Sequence, residues 1–121
     1  MTKEFIIKSL LPYKENPHLC GYENGWCMYL TSDGKKCSIG QYMKKGKWQS
    51  LYNVRVDKLL TGNKVKKYMK AIWCKQNVPN VVALYMQKYH DCIANDNKYN
   101  INVIVGCLEN NTGYNLNELK I

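Results

Sequence analysis

The stretch Pro79-Asn-Val-Val-Ala-Leu-Tyr-Met-Gln-Lys-Tyr-His-Asp-Cys-Ile-Ala94 decides the fold class. With Val78 in front of it, Val81, Val82, Tyr85, Tyr89, Cys92 and Ile93 recur at the helical period and form one apolar stripe. Pro79 suits a first turn, where its missing N–H is not needed. The pattern stops at Ala94. Asn95-Asp-Asn97 breaks it, and Asn100 is read as the cap of a last helix carrying Ile101, Ile104, Val105 and Leu108 and ending near Asn110-Asn-Thr-Gly113. The tail from Tyr114 reads as a strand or a docked end.

On the other side, residues Asn63–Lys75 place Val65, Tyr68, Met69, Ile72 and Trp73 on one face and Lys64, Lys66, Lys67, Lys70 and Lys75 on much of the rest. This predicts one continuous basic amphipathic helix. Earlier still, Phe5, Ile6, Ile7, Leu10 and Leu11 predict a short helix that Thr2 caps and Pro12 stops. Residues 13–25 read as an irregular connection. Trp26-Cys-Met-Tyr-Leu30 reads as a strand, Thr31-Ser-Asp-Gly34 as a tight reversal, and Lys35-Lys-Cys37 as the returning strand. The expected architecture is α+β: a helix-dominated single domain over residues 1–121 with a short β-hairpin near residues 26–38. A chain of 121 residues suits one core rather than two.

Charge is segregated along this framework. Residues 35–75 hold twelve Lys and Arg against Asp57 alone, whereas the segments before and after it each hold three Lys against four acids. The net charge of +9 is therefore carried by the middle third. Such a concentration attracts anions. Arg55 is the only arginine, so the basicity suits attraction better than the bidentate base readout that guanidinium provides. Tyr42, Trp48 and Tyr52 lie among Lys36, Lys44, Lys45, Lys47 and Arg55, and rings beside ammonium groups can stack a base while holding its phosphate. Gly40, Gly46 and Gly62 could bring backbone N–H groups to phosphate, although no P-loop or GxGxxG pattern is present.

Six cysteines, at 20, 27, 37, 74, 92 and 107, would suggest disulfides in a secreted chain. The start of the chain has charges inside its short apolar run and no small-residue cleavage site, which leads us to expect the cytoplasm and free thiols. No apolar run is long enough to span a bilayer. No CxxC occurs; a metal site assembled from Cys20, Cys27, Cys37 and His90 or Cys92 stays open, though none of their spacings makes a small chelate loop, and no cofactor is expected. If Ser38 caps a helix, Cys37 lies at its N-terminus, where a thiolate is favoured. Cys37 as nucleophile, His90 as base and Asp91 as orienting group would then follow the order of papain-like hydrolases. Adjacent residues on a helix diverge by about 100°, which counts against Asp91 orienting the His90 ring. The structural alternative has Cys37 and Gly40 letting a helix approach the preceding hairpin closely, Trp26 and Tyr29 filling the core, and Asp91 accepting backbone N–H groups of the loop after its helix.

Three motifs, Gly25-Trp26-Cys27, Gly34-Lys-Lys-Cys37-Ser-Ile-Gly40 and Leu84-Tyr-Met-Gln87-Lys-Tyr-His90-Asp91, together resemble a family of small phage and bacterial proteins of unknown function with a GWC, C-x-[IL]-G and L-Q-x-x-[HN]-D order. The likeness covers residues 25–109. It implies a small phage-type domain but carries over no activity. Asn often stands in that family where His90 stands here, and an amide cannot shuttle a proton. The expected function is a noncatalytic accessory protein, with counter-defence a natural use, that binds an anionic small molecule such as a nucleotide, a nucleic acid or an acidic host protein. Its location would be the host cytoplasm if phage-encoded, with no membrane partner and with a homo-oligomer left open. The alternative is the cysteine-dependent hydrolase or transferase built on Cys37.

Overall fold

The computed structural model describes residues 1–23, 25–46, 56, 60 and 64–121, excluding the side chains of Trp26 and Lys64. Helix α1 spans Lys3–Glu15, and Thr2 caps it by accepting the Phe5 N–H at 3.1 Å. Pro12 does not stop α1. It lies on the exposed side, as does Lys8 four residues earlier, so water can satisfy the carbonyl that the ring leaves without a donor. A 3₁₀ turn at Pro17–Leu19 leads to strand β1, Tyr22–Glu23, which pairs antiparallel with β2, Trp26–Cys27, in the register Tyr22 with Cys27 and Glu23 with Trp26.

The helix-dominated architecture stands, while the two-residue ladder forms at the leading edge of the expected hairpin. Residues 28–36 turn away instead. Gly34 N–H bonds Thr31 C=O at 3.1 Å, and Lys36 bridges in parallel to Cys20. A further 3₁₀ turn occupies Gly40–Tyr42.

The basic segment breaks into two helices, α2 (Lys64–Tyr68) and α3 (Ala71–Gln76). Lys70 between them is extended at ψ 154°, because Met69 leaves the helix to form an antiparallel bridge with Met43. Lys44 N–H to Tyr68 C=O and Lys70 N–H to Tyr42 C=O, both 2.7 Å, replace the helical bonds lost there. The break rotates α3, so Trp73 is buried and Ile72, expected on the same apolar face, is 49% exposed.

Helix α4, Asn80–Ala94, begins after Pro79 and ends at Ala94. Its buried face is Val82, Ala83, Met86, Gln87, Tyr89, His90 and Ile93, rotated from the expected stripe and leaving Val81 exposed. Helix α5, Lys98–Thr112, is capped by the Asn97 side chain rather than by Asn100, and it buries the four apolar residues expected of it. The tail is docked: Leu116 and Leu119 are fully buried, and Tyr89 Oη donates to Leu119 C=O at 2.8 Å. Buried side chains from Phe5 to Leu119 join one core cluster, and among the described residues no helix is long and apolar enough to cross a membrane.

Candidate functional site

The three sequence motifs converge on one side of α4. His90 is completely buried, with its ring perpendicular to that of Tyr13 at a centroid distance of 4.9 Å. Gly21 N–H donates to His90 Nε2 at 3.0 Å. A nitrogen that accepts cannot also carry the proton, so the ring is in its Nδ1–H form and donates to Asp91 Oδ1, 3.0 Å away. Contrary to the expectation from helix geometry, the divergence of neighbouring residues does not prevent this contact. Nδ1 lies next to the ring's attachment point, and it reaches sideways to the following carboxylate. Asp91 holds this ring and the Gln87 amide, at 3.2 Å, rather than backbone N–H groups of the next loop.

Cys37 is also fully buried, and its Sγ accepts the Gly40 N–H at 3.2 Å. Ser38 does not cap a helix. Its Oγ donates to Gln87 Oε1 at 2.9 Å, within reach also of Met86 C=O. The chain then enters a three-residue 3₁₀ turn, too short to have a dipole of consequence for a thiolate. Cys27, expected in the Gly25-Trp26-Cys27 motif and in the open Cys20, Cys27, Cys37 and His90 or Cys92 metal set, is the thiol that shares a cluster with the imidazole and carboxylate. The Gln87 amide donates to Cys27 Sγ, and the ligand atoms of Cys27, His90 and Asp91 lie within 4.8 Å of one another. The signal was present in that motif and in Gln87.

The chemistry of this cluster favours protonated thiols. Hydrogen bonding to Cys37 pushes the Cys27 thiol far up, with burial and the Asp91 charge adding to it. Burial is the main cause that raises Cys20 to about 11. Among the described residues, Cys27, His90 and Asp91 are the group that could share a cation. To bind one through Nδ1, however, His90 would have to move its proton to Nε2 and lose the Gly21 bond. The same commitment leaves no ring nitrogen free to act as a base.

The lysines gather around the Met43–Met69 bridge. Lys44 Nζ donates to Lys66 C=O at 2.7 Å, Lys70 Nζ to Gln41 C=O at 3.2 Å, and the Lys67 ammonium lies 5.3 Å from the Tyr68 ring centre. Lys44, Lys45, Lys66, Lys67 and Lys70 are exposed. Among the described residues, the ion pairs involve Lys35 and Lys120, and none engages these five lysines.

Tyr42 is not a stacking platform. Its ring packs between Phe5 and Trp73 at 5.1 and 5.6 Å, and its hydroxyl shares a 2.6 Å hydrogen bond with Ser9. Lys36 is anchored toward the thiol cluster, where its carbonyl accepts the Tyr13 hydroxyl at 2.8 Å. Lys47, Trp48, Tyr52 and Arg55 lie outside the described residues.

Beside the lysines, a cavity of about 350 Å³ opens between α2, α3 and the start of α4, with Lys66, Trp73, Asn77 and Asn80 among its lining residues. Helix α4 enters this wall without a side-chain cap or an acidic residue in its first turn. Comparison with protein-family models, with curated proteins and with solved structures finds no match to this chain.

Proposed function

We propose that this protein is a noncatalytic accessory protein that grips a phosphate-bearing anion with Lys44, Lys45, Lys66, Lys67 and Lys70. The observation that carries the reading is the strand-like bridge between Met43 and Met69, which gathers two separate basic stretches beside one another without acidic partners among the described residues. A hydrated ammonium group is a point charge, and several together hold a phosphate without reading sequence. A thiol-enzyme reading finds no support in a fully buried Cys37 and an imidazole with both nitrogens occupied. The counter-defence use rests on the phage-type resemblance alone.

The test is calorimetric titration with inorganic tripolyphosphate and, separately, with a single-stranded oligonucleotide at two salt concentrations. Changing Lys44, Lys66, Lys67 and Lys70 together to Gln should weaken tripolyphosphate binding by about 10- to 1,000-fold, given a few tenths to one kcal/mol per exposed charge. Unchanged affinity would overturn the reading. A salt dependence that steepens strongly for the oligonucleotide would assign the lysines to nucleic acid through counterion release.

A further inference from the structure

We infer, on the strength of that anion reading, that the cavity beside the lysines is the base-and-sugar subsite for a small nucleotide, a nucleoside phosphate rather than a polymer. Lys66 belongs to both features. It is one of the residues that line the cavity, and its carbonyl holds the Lys44 ammonium at 2.7 Å, so the positive cluster lies at the cavity's lip. A phosphate held there directs the rest of its molecule toward the cavity.

The cavity suits that remainder in size and chemistry. Its volume of about 350 Å³ falls at the small end of ligand sites, which run from about 300 to 1,000 Å³, and leaves room for one nucleoside. Leu60, Val65 and Val78 supply an apolar lining for the flat faces of a base, with Trp73 beside them. Besides Lys66, the polar lining includes Asn77 and Asn80, whose side-chain amides have no hydrogen-bond partner within the protein among the described residues. Each amide offers a donor and an acceptor side by side, the complement of a base edge that carries both. The Cys74 thiol donates to the carbonyls of Val65 and Met69, at 3.9 and 3.8 Å, and ties α3 to α2 in the cavity wall.

The deciding experiment compares AMP, ribose 5-phosphate and inorganic tripolyphosphate on the wild-type chain and on the double variant Asn77→Gly/Asn80→Ala. Glycine keeps the left-handed backbone that Asn77 holds at φ 49°, and an unchanged melting temperature verifies the fold. The expected result is that AMP binds at least about tenfold more tightly than ribose 5-phosphate, the worth of one or two net hydrogen bonds. The double variant should erase that difference while leaving tripolyphosphate affinity intact. Equal binding of AMP and ribose 5-phosphate, with both lost when the lysines are neutralised, would overturn the cavity assignment and leave the anion reading standing. Failure of all three probes to bind would overturn both.

Discussion

A thiol that is neutral in the fold and ionises more easily in the unfolded chain ties stability to alkaline pH. Cys20 is such a group: burial first, then the nearby Asp91 charge, raises it from 9.0 to about 11. The unfolded chain loses this proton at lower pH than the folded one. Its contribution is therefore complete below 9.0 and disappears as pH rises through about 11. The urea midpoint should hold level up to that window and then fall, and Cys20→Ala should remove part of the slope. A wild-type midpoint that stays flat across the window would contradict the assignment. His90 acts at the same scale through hydrogen bonds. Its two nitrogens join the Gly21 backbone to Asp91, so this ring ties the chain ahead of β1 to α4 as a structural strut.

Between elements, close approach is decided by glycine. A Cβ on Gly40 would overlap the Tyr29 carbonyl oxygen and lie 2.8 Å from its carbon, and backbone has little freedom to yield. Gly21 is equally constrained, with Met28 C=O at 2.7 Å from such an atom. Gly40→Ala should therefore destabilise the protein by about 1–3 kcal/mol or more through forced separation of the 3₁₀ turn from the Tyr29 segment. Chemical denaturation measures this, and a change below about 0.5 kcal/mol, the scale of an ordinary surface substitution, would show the approach to be looser. The Met43–Met69 bridge acts at this scale too. It outweighs helix propensity in a lysine-rich segment, since two strong backbone hydrogen bonds and two buried methionines replace one helical turn.

Across the whole molecule, the ends of the chain are stitched into the core. Lys14 Nζ bonds Glu118 C=O at 2.8 Å, Tyr114 Oη bonds Met1 C=O at 2.6 Å, and Glu109 accepts the Leu116 N–H at 2.9 Å. Leu119 has no exposed surface. Truncating it to Ala removes buried methyl groups and leaves a void, at a cost of about 2–5 kcal/mol. Against the about 5–15 kcal/mol that holds an ordinary domain together, this should lower the thermal midpoint by many degrees. A midpoint within a degree or two of wild type would mean that the tail is not an integral part of the core.

The sequence by itself determined the helices whose signals are local: the Thr2 cap, the end of α4 at Ala94, the buried face of α5, and the unequal distribution of charge. Each depends on residues within one or two turns of each other. It also marked Cys27, Cys37, Gln87, His90 and Asp91 within the motifs, but it did not reveal that Gln87 and Gly21 occupy their hydrogen-bonding atoms. Only the tertiary structure decided where α2 gives way to α3, because the hydrogen bonds that break the helix come from residues 42 and 44. It alone turned Tyr42 inward, moved Ser38 from cap to interior contact, and gathered Lys44 beside Lys66. The physical reason is common to all of these. A hydrogen-bond donor or an apolar ring takes the partner that the folded chain brings nearest, and for these residues that partner lies tens of positions away in sequence.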